Sequence, residues 1–194
     1  MARTYGEIVQ PSFEDVFAQT LDRKATVFVD IGSGKGLITA AAALEGGYAK
    51  AVGIEKYRDK YDDSMQLRSS MPEEIQQRLD FTLSDIADLD LRDLIQTWAR
   101  PEVLLFCNNL AFGHGMNGRL GRSIRETMDS LPDVRIVVVA TTPFEGLTDR
   151  LDSLIPLDMT WGPKHEASVY VGGDAHHDHR QRERVGSIAV GEAC

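Results

Sequence analysis

Val27-Phe28-Val29-Asp30-Ile31-Gly32-Ser33-Gly34-Lys35-Gly36 is the stretch on which the reading of this chain turns. Val27, Phe28 and Val29 favour extended backbone and predict a buried strand, which Asp30 closes. Gly32, Gly34 and Gly36 follow at alternate positions, where glycine lets the backbone turn tightly and come close to a ligand. Leu37 to Leu44 is alanine-rich and predicts a helix whose first turn offers unpaired N–H groups. Strand, glycine turn and helix are a layout for holding a nucleotide-like ligand. The G-x-G-x-G spacing is not the dinucleotide fingerprint G-x-G-x-x-G. A P-loop needs its lysine after the last glycine, whereas Lys35 lies between two of them. Taken alone, the stretch also fits a tight strand–helix connection without a ligand.

The form Asp30-Ile31-Gly32-Ser33-Gly34-Lys35-Gly36 resembles the cofactor loop of Rossmann-like S-adenosylmethionine methyltransferases. Working outward, Ser12 is an N-cap candidate for a helix from about Phe13 to Arg23, with Phe13, Val16, Phe17 and Leu21 on one face. Ala51 to Ile54 predicts a second strand closed by Glu55. A helix from Arg58 to Ser70 follows, with Tyr57, Tyr61 and Met65 as a core stripe. Pro72 opens a short helix through Gln77. Phe81 to Leu83 is a third strand, Leu89 to Trp98 a helix, and Val103 to Cys107 a fourth strand. Asn117 to Leu131 is helical, Arg135 to Ala140 is a fifth strand, and Met159–Trp161 and Ser168–Val171 form a closing pair around a Gly162-Pro163 turn. The alternation predicts an α/β fold with a mostly parallel central sheet and helices on both faces. Residues 1–173 read as one catalytic domain and 174–194 as a polar, flexible tail.

With 42% hydrophobic residues, the 194-residue chain has enough for one sizeable core. Its 21 basic and 30 acidic residues give a formal charge of −9, which argues against simple electrostatic binding to nucleic acid or an anionic membrane. Cys107 and Cys194 make no disulfide framework, and Cys107 reads as a buried strand residue. Met1 to Gln10 lacks the apolar centre of a signal peptide, and no run approaches the ~20 apolar residues of a membrane span. A soluble intracellular protein is expected. His176-His177-Asp178-His179 carries metal-binding residue types at a spacing too tight for a tetrahedral site, so no metal is expected.

In parallel sheets the ligand lies outside the carboxyl ends of the strands, which singles out Asp30, Glu55, Asp85, Asn108 and Thr141. Glu55 stands roughly 20 residues past the glycines, and its two oxygens suit the two hydroxyls of a ribose. Asp85 suits an adenine amino group, with Ile86 against the ring. Asp30 suits the glycine loop, or a cofactor ammonium reached through water. Each acid alone reads equally as an N-cap or a surface ion pair. In Asn108-Asn109-Leu110-Ala111-Phe112-Gly113, the amide oxygen of Asn108 suits an attacking amine, and Phe112 a wall that excludes water. The same block also reads as a turn followed by a core aromatic.

Several blocks stand in one order: Tyr5-Gly6-Glu7; Val29 to Gly36; Val52-Gly53-Ile54-Glu55-Lys56 with Lys60-Tyr61; Phe106 to Gly113; and Thr142-Pro143-Phe144, then Trp161 and Tyr170. Together they resemble the catalytic core of the disruptor-of-telomeric-silencing family of histone-lysine methyltransferases, the Dot-type enzymes that lack a SET domain. The likeness runs from about Tyr5 to Val171. It implies a Rossmann-like class I methyltransferase fold, S-adenosyl-L-methionine as cofactor and S-adenosyl-L-homocysteine as product. By position it implies that Tyr5 and Glu7 cover the cofactor's methionine end. Asp30, Gly32, Ser33, Gly34 and Gly36 would line its loop, Glu55 would bind its ribose, Asp85 and Ile86 its adenine, and Lys56 also belongs to the cofactor-binding set. Asn108 would stand near the transferred methyl, with Phe112, Trp161 and Tyr170 shaping a lysine channel. Two positions depart from the family: Ile8 stands where a threonine is usual, and Lys35 where an apolar residue is common.

The resemblance implies a protein substrate with an exposed lysine, histone-like in the first instance. Location would be nuclear for a histone and cytoplasmic otherwise. The acidic charge and the absence of a strongly basic tail set direct nucleic-acid binding against expectation. Two other readings stand beside this one: a methyltransferase acting on a nucleic-acid amino group or a small molecule, and a cofactor-binding module without turnover. The block Asn-Asn-Leu-Ala-Phe is distantly similar to the Asn-Pro-Pro-Phe/Tyr block of amino-group nucleic-acid enzymes, but lacks its prolines.

Overall fold

β1 (Thr26–Ile31) is buried at every position, as befits a strand covered on both faces of a parallel sheet. Val27, Val29 and Ile31 join one core with Val103, Leu105 and Ile124, while Phe28 joins the other with Phe17, Tyr48 and Phe106. The computed structural model describes Ile8, residues 12–160 and residues 162–173. The remaining strands are β2 (Lys50–Glu55), β3 (Leu79–Leu83), β4 (Glu102–Cys107), β5 (Arg135–Ala140), β6 (Leu151–Met159) and β7 (Gly162–Gly172). They form one sheet in the order β3-β2-β1-β4-β5-β7-β6. The first five strands are parallel, and β7 runs antiparallel to both β5 and β6.

Helices cover both faces. α1 (Phe13–Phe17), α2 (Leu37–Leu44), α3 (Arg58–Ser69) and α4 (Glu73–Gln76) pack on the Phe28 side. α5 (Leu91–Trp98) and α6 (His114–Ser130) pack on the Val27 side. The strand order reverses direction between β1 and β4, the place where open α/β sheets leave a crevice at their carboxyl edge. Among the described residues no helix is long and apolar enough to cross a membrane.

Two sequence expectations fail for identifiable reasons. α1 ends at Phe17 rather than Arg23, and Leu21 is left 65% exposed. The buried Glu102 carboxylate explains this: it accepts the backbone N–H of Leu21 (3.1 Å) and of Asp22 (3.4 Å), together with the Thr26 hydroxyl (2.6 Å). It also pairs with the Arg135 guanidinium. These bonds draw the chain out of helical geometry. The closing hairpin is longer than expected, and its turn falls before Gly162, which pairs with Met159. Ser153 to Met159 alternates between exposed and more buried positions, a strand signature that Pro156 masks in the sequence; an edge strand tolerates proline. β6 is irregular at both ends, and Ile8 bridges to Met159. The tail from Asp174 lies outside the described residues, as does its histidine cluster.

Candidate active site

At the carboxyl edge the loops after β1, β2, β3 and β4 enclose an open cleft of about 910 Å³. That volume lies within the usual range for small-molecule sites. Its wall begins with the glycine loop, whose backbone amides at Gly32 and Ser33 donate to the Ile54 carbonyl at 2.8 and 3.1 Å. Gly32 has φ +79°, and a Cβ there would lie 3.2 Å from the Phe112 ring. Gly36 has φ +80°, and a Cβ there would lie 2.4 Å from the Phe81 ring. Both positions therefore need glycine for its backbone and for its missing side chain.

Glu55 ends β2 and is buried; its Oε2 accepts the Gly34 N–H (2.9 Å) and its Oε1 the Tyr57 N–H (2.8 Å). So Glu55 holds the glycine loop, one of the two roles that suited Asp30 in the sequence, the other being a cofactor ammonium. Asp30 lines the cleft but accepts the Thr39 hydroxyl of α2 at 2.7 Å. Burial raises the Asp30 carboxyl to about 7, opposed by the Thr39 hydrogen bond and reinforced by the negative charge of Glu55. Asp85 caps the turn after β3, accepting the Ala87 N–H at 3.0 Å, and lies 3.7 Å from Lys56 Nζ. Lys56 Nζ also stands 5.2 Å from the centre of the Tyr57 ring. Tyr57, read in sequence as part of a core stripe, lines the cleft, whereas Tyr61 and Met65 pack on the core as expected.

On the opposite wall, Asn108 follows β4 and its Oδ1 accepts the Thr141 hydroxyl at 3.0 Å. Asn109 is fully buried and brackets two loops. Its Nδ2 donates to Asn117 Oδ1 (3.0 Å) and the Thr142 carbonyl (2.9 Å), and its Oδ1 accepts the Thr142 N–H (2.7 Å). Asn117 Nδ2 reaches back from α6 to the Phe112 carbonyl at 3.3 Å. Sequence alone assigns Asn109 and Asn117 no role of their own, because their partners at Thr142 and Phe112 are brought to them only by the fold.

The structure brings Asp30, Gly32, Ser33, Glu55, Lys56, Asp85, Ile86, Asn108 and Phe112 to one cleft. Gly34 and Gly36 belong to the same loop but not to the cleft wall, Gly34 bonding Glu55 and Gly36 packing on Phe81. Tyr170 is not in the wall. It is 2% exposed, its hydroxyl accepts the Phe144 N–H at 2.8 Å, and its ring packs on Phe144 with centroids 6.2 Å apart. The expected place of Tyr170 in a channel is thus corrected to one in the core, because β7 turns that face toward α6. Tyr5, Glu7 and Trp161 lie outside the described residues. Ile8 is buried and lines the cleft, while Lys35 sits at the surface, 3.8 Å from Asp63. Cys107 is buried in β4, and burial pushes its thiol well up. Among the described residues no cluster of His, Cys, Asp or Glu could hold a metal ion.

The donor set fits S-adenosylmethionine. Each oxygen of Glu55 takes one backbone amide and has a second acceptor position. Ser33 lines the same wall with a buried hydroxyl that has no hydrogen-bond partner, and Ile86 offers an apolar side chain beside Asp85. A buried hydroxyl without a partner is costly unless a ligand supplies one.

Comparison with known proteins agrees with this architecture. The family described as "Histone methylation protein DOT1" matches residues 1–142. No curated protein matches the chain. Among solved structures, an RNA methyltransferase from Salinibacter ruber, in complex with S-adenosyl-L-homocysteine, superposes with a TM-score of 0.60 at 17% identity, covering 87% of this chain and 94% of that one. A putative tRNA (m1A22) methyltransferase from Streptococcus pneumoniae superposes with a TM-score of 0.59 at 14% identity, covering 86% and 71%. These identities carry the fold alone. With most of its length matched to that family, the chain belongs to the DOT1 histone methylation proteins and has the Rossmann-like fold of S-adenosylmethionine-dependent methyltransferases.

Proposed function

We propose that this chain transfers a methyl group from S-adenosyl-L-methionine to the side-chain amine of a lysine in a protein substrate, histone-like in the first instance. The observation that carries the reading is the packing of Phe112 against Gly32, which puts the Asn108–Gly113 wall directly on the glycine loop. A methyl donor held by one and an amine presented by the other would meet in a single cleft. Family membership supports the protein substrate. Such a protein would work inside the cell, in the nucleus if its substrate is a histone.

The cofactor supplies an activated methyl group on a sulfonium. Glu55 and Asp85 would hold its ribose and adenine, and Asp30 with the glycine loop would face its methionine end. Methyl transfer is an in-line displacement, so the protein's work is alignment and exclusion of water. The acceptor lysine must shed its proton, against a free pKa of about 10.4, and a wall of Phe112, Leu110 and Met116 favours the neutral amine. Asn108 would accept a hydrogen bond from that amine and orient its lone pair.

A second reading, methylation of a nucleic-acid base, draws on the two structural neighbours, which are described as RNA methyltransferases. The acidic chain weighs against it. Radiolabelled methyl transfer to nucleosomes, free histones and tRNA separates the two. Label in histone lysine supports the proposal, and label confined to RNA refutes it. Asn108→Ala is expected to abolish transfer while retaining S-adenosylhomocysteine binding, and Glu55→Ala to weaken that binding by roughly tenfold or more. Equal affinity of wild type and Glu55→Ala by calorimetry would remove Glu55 from the cofactor site.

A further inference from the structure

We propose that Thr141 is a positioning residue for the acceptor-side amide, its hydroxyl setting the orientation of Asn108. This inference rests on the role given to Asn108 above.

Thr141 directly follows β5 and is 2% exposed. Its own backbone is fixed at both ends. The N–H donates to the Cys107 carbonyl at 3.2 Å, and the carbonyl oxygen lies 2.6 Å from His165 Nε2. A carbonyl can only accept, so His165 donates there. The hydroxyl stands between two amide oxygens, Asn108 Oδ1 at 3.0 Å and Asn109 Oδ1 at 3.3 Å.

Asn109 cannot turn. Its Oδ1 takes the Thr142 N–H and its Nδ2 gives to the Thr142 carbonyl, partners whose roles are fixed by chemistry. The single hydroxyl proton of Thr141 goes to the nearer oxygen, that of Asn108, at 3.0 against 3.3 Å. A buried pair fixed on one side transmits its geometry to the other. Asn109 and the β5 backbone hold Thr141, and Thr141 in turn fixes the oxygen of the Asn108 amide. Methyl transfer is sensitive to such placement, since a misplacement of ~1 Å can cost ~100-fold in rate.

The test uses the full chain with Thr141→Val, which keeps the shape and removes the donor, and Thr141→Ser, which restores it. The readouts are the ordering of the Asn108 side-chain amide by 15N relaxation, its signals assigned with Asn108→Ala; S-adenosylhomocysteine affinity by calorimetry; and kcat for whichever acceptor the transfer assay identifies. For Thr141→Val we expect affinity unchanged, an Asn108 amide less ordered than in wild type and kcat lowered about tenfold or more, all restored in Thr141→Ser. An Asn108 amide as rigid in Thr141→Val as in wild type overturns the proposal. So does wild-type kcat in Thr141→Val, or a Thr141→Ser no better than Thr141→Val. If Thr141→Val does not fold, Thr141→Ala carries the same comparison. Failure of the wild type to bind S-adenosylhomocysteine would instead strike the functional reading, while the relaxation comparison would still decide this one.

Discussion

Gly53→Ala tests how the glycine loop is held in place. Gly53 lies in the middle of β2 and pairs in register with Phe81 of β3. A Cβ at Gly53 would stand 2.5 Å from Phe81 Cδ1 and 2.7 Å from Ser33 Oγ. Carbon atoms prefer about 3.5–4.0 Å, so the ring must retreat by roughly 1 Å. Toward the loop the same ring already fills the space over Gly36 that a side chain there would take, which leaves it little room to slide that way. Overpacking of this kind costs about 1–3 kcal/mol, and replacing a strand glycine by alanine returns about 0.5 kcal/mol. A net loss of ~1–2 kcal/mol follows, read as a lower urea midpoint at unchanged slope. Phe81→Leu, itself costing on the order of 1 kcal/mol, makes room for the methyl. The double variant should then be more stable than the two losses added, by at least about 0.5 kcal/mol. S-adenosylhomocysteine affinity should fall in Gly53→Ala and recover in the double variant. Strict additivity, or a Gly53→Ala protein as stable as wild type, would refute the clamp.

Asp30 predicts a pH dependence of stability. Its folded value of about 7 lies above the ordinary carboxylate range, so the folded state favours the protonated acid. Its contribution is full below the ordinary value and is lost as pH rises through about 7. Asp30→Asn should flatten that loss, and melting curves at pH 5 and 8 that change in parallel for both proteins would count against it. Glu102→Ala leaves Arg135 and the Leu21 and Asp22 amides without their partner at the base of the sheet. A cost of about 3–5 kcal/mol is expected by urea unfolding, and a loss below 1 kcal/mol would show that the buried pair does not hold the chain there. Tyr170→Phe should cost about 1 kcal/mol for its bond to Phe144 and leave methyl transfer untouched. A selective loss of transfer would return Tyr170 to the acceptor site.

The parts of the fold set by local pattern were legible. Arg135–Ala140 and Leu37–Leu44 have the same bounds in sequence and structure, since an unbroken apolar run and an alanine-rich run each favour one backbone state. The acids at the strand ends do meet in one cleft, because a parallel sheet brings every strand's carboxyl end to one edge. What depended on distant partners was not legible. α1 stops early because Glu102, far along the chain, captures its backbone. Asn109 matters through Thr142, and Tyr170 is buried because β7 presents that face to Phe144. None of these relations leaves a periodic trace.

The outermost strand has a consequence beyond the cleft. β6 leaves Leu154 53% exposed on a sheet margin, the kind of edge to which another molecule's backbone attaches. Pro156 lacks an amide proton, the pairing slips near both ends of the strand, and Ile8 sits across Met159. A rim so interrupted offers no long ladder for a neighbouring chain to continue, which guards the folded protein against growing into fibres through its own edge.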